Sequence, residues 1–244
     1  MNKHGLSRTI PENVKLKIRQ DAKFGCVICG LGIFEYEHID PEYSDAKEHD
    51  PDKMTILCPS CHAKVTRGFW SKDKVWQAKA NPVALSQGFA NEWFDFGPTM
   101  PLIKFGGATI EECRIPILIA NKPLFEIKPP IAEKTPFLLS GTFYGENGYK
   151  MLEIIDNEWR VYNHNWDLSV LGPVMKITDH AKNVVLQIRA LPSSGIAIEK
   201  VNMFVNGRHV VADVDLLTIY NPNGSFEDYT NTISSHCIIG LSIN

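Results

Sequence analysis

Four cysteines in two pairs, Cys26-Val-Ile-Cys29 and Cys58-Pro-Ser-Cys61, bracket a segment that holds Glu35, Glu37 and His38, and His62 follows directly. Two such knuckles supply four thiolates, the donor set of a closed tetrahedral zinc site. A closed shell holds a fold and leaves no position for a reactant, so zinc at Cys26, Cys29, Cys58 and Cys61 is expected to be structural. The reactive groups are those left over. Glu37 is a hard carboxylate ligand, and His38 and His62 are imidazoles able to act as base or ligand near neutral pH. The second knuckle with His62 also matches the attachment motif of a c-type haem. That reading requires export, for which the first eight residues offer no apolar segment, and it leaves Cys26 and Cys29 without a purpose. The gap of about 28 residues between the knuckles exceeds the roughly 15–20 of common zinc ribbons, which leaves room for an inserted hairpin.

Glu37-His38-Ile39, followed by Leu57-Cys58-Pro-Ser-Cys61-His62 with Lys64 behind, resembles the HNH endonucleases over about residues 10–80. The resemblance implies a small treble-clef-like ββα-metal module whose substrate is DNA. It further implies His38 as general base, with Glu37 and His62 holding one catalytic Mg²⁺ or Mn²⁺. One position departs from the family. Relatives usually carry Asn five residues before the second knuckle, to fix the loop that orients the catalytic histidine; here Lys53 stands there, preceded by Asp52. Lysine offers no acceptor. Either Asp52 or a backbone group takes over, or Lys53 contacts substrate, or the nuclease is attenuated, in which case Lys53→Asn is expected to raise cleavage. Asp40 and His49 match no family position and are read as ordinary loop residues.

The formal net charge of −3 conceals an asymmetry, with about +2 over residues 1–80 and about −5 over residues 81–244. Lys64, Arg67, Lys72, Lys74 and Lys79 face only Asp73 in their stretch, a distribution suited to phosphate. Lys64, Arg67, Lys72 and Lys74 are the expected nucleic-acid contacts. A rival expectation is a non-catalytic zinc module that binds nucleic acid or protein.

These side chains need elements to hold them. Pro11, Glu12 and the recurrence of Val14, Ile18 and Ala22 predict a helix with one apolar stripe. Phe34 to Ile39 alternates as a short strand, residues 40–53 read as a loop, and helices are expected after Pro59 and after Ser71 as N-cap. Beyond residue 100 the chain turns to short β-branched and aromatic runs. Asn147-Gly148 and Asn206-Gly207 are strong hairpin signals, and Asp156-Asn157 is a weaker one. The expected class is α+β: a nuclease module at 1–82, a linker at 83–100, and a mostly antiparallel sandwich or barrel of about eight to twelve strands at 101–244. That domain is expected to sense a ligand or partner, recognise the target or mediate homo-oligomerisation; Tyr162, His164 and Trp166 are read as strand ends and turns. A nuclease joined to a sensor is the layout of restriction and phage-defence effectors, an argument from analogy. No apolar run approaches the ~18–20 residues of a membrane span, and the cytoplasm is the expected compartment. Cys113 and Cys237, outside the knuckles, could pair only if the fold brings them together, and in a reducing compartment they are expected to be plain buried thiols.

Overall fold

The computed structural model describes residues 1–243, which divide into two compact units. One unit comprises Met1–Glu92 with Val161–Leu168, and the other comprises Trp93–Arg160 with the chain from Ser169 onward.

The first unit opens with helix α1 (Glu12–Asp21), whose Ile18, with Ala22 just beyond the last turn, is fully buried as the apolar stripe predicts. They pack on Cys26, Val27, Ile39, Ile56 and Leu57, so the helix closes one side of the cysteine knuckles. Strand β1 (Glu35–His38) pairs antiparallel with β2 (Met54–Leu57), placing His38 opposite Met54 and Glu37 opposite Thr55. Helix α2 (Pro59–Thr66) starts inside the second knuckle, with the Cys58 sulfur capping the N–H of Cys61 and proline at its first position. Helix α3 (Lys72–Ala80) is capped by Ser71, whose hydroxyl accepts from the Lys74 N–H at 3.2 Å. Within residues 83–100, expected as linker, lie a short helix α4 (Val83–Gln87) and strand β3 (Phe89–Trp93).

A buried charge fixes β1 to α1. Arg19 donates to both carboxylate oxygens of Asp167 at 2.8 and 2.7 Å, to the Tyr36 hydroxyl at 2.7 Å and to Glu12 at 2.8 Å. Burial disfavours its charge, but these partners overcome that and raise its pKa. The fork geometry of guanidinium suits this arrangement, and loss of Asp167 leaves a desolvated cation behind. Tyr162 stacks on His164 and the Trp166 carbonyl accepts from Gln20 at 3.0 Å, so this stretch forms a strand end and a turn within the same unit.

The second unit is a pair of open sheets. One runs β7 (Phe125–Lys128), β8 (Leu138–Tyr144), β9 (Lys150–Ile155), β10 (Glu158–Tyr162). The other follows β11 (Asp167–Leu171), β12 (Val174–Thr178), β13 (Val184–Leu191), β14 (Gly195–Val205), β15 (Arg208–Asp213), β16 (Leu216–Tyr220), β17 (Phe226–Tyr229). The first half of β14 also lies parallel to β4 (Leu102–Phe105); β4 pairs with β5 (Ala108–Ile119), which takes the two-residue β6 (Lys122–Pro123) and the long β18 (Thr232–Ile243). Phe105, Phe125 and Phe143 meet edge-to-face at 6.1 and 5.5 Å and form the core of this unit.

Asn206-Gly207 and Asp156-Asn157 both adopt paired positive φ, the hairpin geometry that their residue types favour. Fifteen strands lie between Leu102 and Ile243 among the described residues, more than the eight to twelve expected. Two pairings, β4 with β14 and β5 with β18, are parallel, and local hairpin signals reveal only antiparallel neighbours. Cys113 and Cys237 are cross-strand partners in the β5–β18 register and form a disulfide, which corrects the expectation of separate thiols. No helix among the described residues is long and apolar enough to cross a membrane.

Candidate active site

The first knuckle is a tight turn in which the Gly30 N–H donates to the Cys26 carbonyl at 2.7 Å. A side chain at Gly25 would run into the Gly30 carbonyl, so the turn tolerates only glycine there. The second knuckle is the capped start of α2. Together they bring the sulfurs of Cys26, Cys29, Cys58 and Cys61 within 4.8 Å of one another. Cys29 lies 3.6 Å from Cys58 and 3.8 Å from Cys61, sulfur to sulfur. Zinc–sulfur bonds of about 2.3 Å in a tetrahedron place the sulfurs about 3.8 Å apart, so the donor set and its spacing are those of structural zinc. With no cation between them, the hydrogen bond from Cys29 lowers the Cys26 thiol, the same contact drives Cys29 up, and burial pushes Cys61 up. Four thiolates at this separation require a cation among them.

Alternation along β1 sends Glu35 and Glu37 toward α2. His62, one turn into that helix, lies between them: its Nδ1 is 2.7 Å from Glu35 and its Nε2 is 2.9 Å from Glu37. Burial raises the Glu37 carboxyl despite the opposing influence of His62. His38 is buried at the end of β1, with Nε2 3.1 Å from Nδ1 of His49, whose own Nε2 lies 3.0 Å from the Ser7 carbonyl. Burial, and then the nearby His49, lower the His38 pKa. Glu37, His38, His49 and His62 line one cleft of about 380 Å³, with Arg8, Tyr43 and Lys72 on its walls.

Residues 26–68 match the family model of the HNH endonucleases. The match spans a minor part of the chain, and it falls on the knuckles, the β1–β2 hairpin and α2. No curated protein and no solved structure matches the chain. An HNH module with a zinc cluster is a nuclease or a nucleic-acid-binding unit.

Within the HNH module the structure brings Glu37 and His62 into contact and sets His38 in the same cleft. Lys53 does not line that cleft but, with His38, a second one of about 220 Å³. Its ammonium faces Asp50 at 3.4 Å on the surface, while its backbone carbonyl accepts from Ile39 N–H at 2.9 Å. The four expected phosphate contacts separate into two groups. Lys72 donates to the Ile39 carbonyl at 2.6 Å and pairs with Glu42 at 2.9 Å, so its charge is spent on the loop after β1. Lys64 and Lys74 lie over the Trp70 ring, 4.5 and 4.7 Å from its centre, and Arg67 is exposed beside them, as is Phe69.

Three residues were missed by sequence reasoning. Glu35 was legible, since a strand period of two places it on the face of Glu37. Arg8 lies far along the chain from the motif and gave no signal. His49 was read as a surface loop residue; the loop folds back through a short 3₁₀ turn at Pro51–Lys53, capped by Asp50, and returns it to His38. Asp40 is exposed.

Proposed function

We propose that the HNH module hydrolyses phosphodiester bonds in DNA, with His38 as general base and a divalent ion held by Glu37 and His62. The observation that carries this reading is the 2.9 Å separation of Glu37 Oε2 and His62 Nε2. Two adjacent ligands of an octahedral ion with bonds of about 2.1 Å stand about 3.0 Å apart, so the pair fits Mg²⁺ or Mn²⁺ without rearrangement. The bound ion supplies a Lewis acid for the scissile phosphate and the leaving oxygen. Glu35 accepts the Nδ1–H of His62, which orients the ring with Nε2 toward Glu37. His38 takes a proton from water as its oxygen bonds to phosphorus; the P–O3′ bond breaks and solvent protonates the departing oxygen. Its lowered pKa keeps His38 neutral, and so able to accept that proton, at neutral pH.

Arg8 on the cleft wall, Lys64 in α2, Arg67 just past it and Lys74 in α3 are the phosphate contacts of this reading. The second unit is taken as a recognition or regulatory domain. A cleft of about 300 Å³ lined by Glu146, Tyr149, Asp179 and His180 supports a ligand-sensing role.

The test is incubation of the purified protein with supercoiled plasmid. Mg²⁺ or Mn²⁺ is expected to yield nicked and linear DNA, and a chelator strong enough to strip that ion, but not the zinc, is expected to stop the reaction. DNA binding with no cleavage under either metal would instead favour the binding-module reading.

Lys53 bears on activity through its main chain. Its carbonyl ties Ile39, the residue after His38, to the loop, and any residue can supply that group. The geometry therefore supports tolerance over attenuation. Lys53→Asn is expected to change the initial cleavage rate by less than about threefold, since it removes one exposed ion pair of small worth. A gain of tenfold or more would mark the chain as an attenuated nuclease.

A further inference from the structure

We propose that His49 is a positioning residue that fixes the tautomer of His38 and aims its free nitrogen. The inference rests on the nuclease reading for its consequence and on the hydrogen-bond chain for its cause. The chain ends on the carbonyl of Ser7, which can only accept. His49 must therefore carry its proton on Nε2, and in the neutral ring Nδ1 is left as an acceptor. His38 Nε2, 3.1 Å from that acceptor, must then be the N–H donor. Two neutral imidazoles in series have one arrangement that satisfies both bonds, and it leaves the lone pair of His38 on Nδ1. That nitrogen makes no hydrogen bond to any described residue and is the one able to take a proton from water.

The contact also holds the ring in place. His38 is buried at the end of β1, where the Tyr43 ring stands against it at 5.7 Å and His49 at 5.2 Å, centre to centre. Lys53, at the place where relatives use a side-chain amide, directs its ammonium to Asp50 and cannot do this work. His49 does it from the same loop, four residues earlier. A base held in the wrong tautomer presents an N–H where a lone pair is needed, and the reaction stalls even with every group in place.

The test uses the full chain with ¹⁵N-labelled histidine. Long-range ¹H–¹⁵N spectra of the parent protein at neutral pH are expected to show His38 protonated at Nε2. His49→Leu is expected to abolish that preference and to lower plasmid cleavage by about 10- to 100-fold, the usual effect of losing a residue that orients a site histidine. His49→Gln keeps a side-chain acceptor within reach and is expected to restore both the tautomer and most of the rate. Zinc content at the parent level in both variants confirms that the module is folded. His38 protonated at Nδ1 in the parent, or His49→Leu cutting at the parent rate, overturns the proposal. A parent protein that cuts nothing, yet shows the Nε2–H tautomer and loses it in His49→Leu, sustains the positioning role and sinks the nuclease reading.

Discussion

Cys61→Ser is expected to lose its zinc and, with it, the folded state of the first unit. Cys61 is buried with Cys26, Cys58, Ile18, Val27, Ile56 and Leu57, so the cluster is part of the apolar core rather than an appendage. Around it stand two four-residue strands and helices of ten, eight and nine residues, too little regular structure to hold two knuckles and the β1–β2 hairpin unaided. In sites of this kind the free energy of metal binding, about 10–16 kcal/mol near neutral pH, is also free energy of folding. Serine keeps the size of the side chain but offers no thiolate, and the three remaining sulfurs then bind zinc weakly. Elemental analysis is expected to find about one zinc per parent chain and much less in the variant. Limited proteolysis is expected to digest residues 1–92 of the variant while the second unit survives. A soluble Cys61→Ser protein that is free of zinc and resists protease would remove the basis for a structural metal.

The parts of this site that were legible in the sequence are those fixed by local spacing. Two knuckles with this spacing point to a metal site, and an acid–histidine pair on a strand followed by Cys-His on a helix brings Glu37, His38 and His62 to one cleft. Helix α1 was readable from one apolar stripe, α3 from Ser71, and the hairpins from turn residues that favour positive φ. Hidden features depend on distant chain segments. Arg19 meets Asp167 across 148 residues, and nothing in either neighbourhood announces the pairing. The parallel partners β4–β14 and β5–β18 carry no turn signal, so the Cys113–Cys237 disulfide that depends on one of them could not be foreseen. His49 was hidden for another reason. Its contact with His38 comes from the path of a loop that has no period of its own, and only the returned loop brings the two rings together.

His38→Ala is expected to be the most damaging single change that leaves the fold intact. Loss of a positioned general base typically reduces rate by about 10²- to 10⁴-fold, and here no other group lining the cleft is placed to substitute. His49 is the nearest imidazole, but its Nε2 is committed to the Ser7 carbonyl and its Nδ1 points at the ring that has been removed. Glu37 and His62 are engaged with each other. The variant is expected to retain its zinc, because His38 contributes nothing to the sulfur cluster. It is also expected to bind Mn²⁺ as the parent does, since Glu37 and His62 are unchanged. Binding to uncut DNA is expected to stay within about twofold, because none of the proposed phosphate contacts, Arg8, Lys64, Arg67 and Lys74, bonds to His38. The stability cost is expected to be about 1–3 kcal/mol, the penalty for leaving a buried hydrogen-bond partner unmatched, which a folded zinc module can bear. Cleavage rate, metal titration and DNA affinity measured on the same preparation separate these effects. Loss of cutting with metal and DNA binding preserved assigns the base to His38. A variant that cuts as fast as the parent would place the base elsewhere and leave the resemblance to HNH nucleases as one of fold and zinc alone.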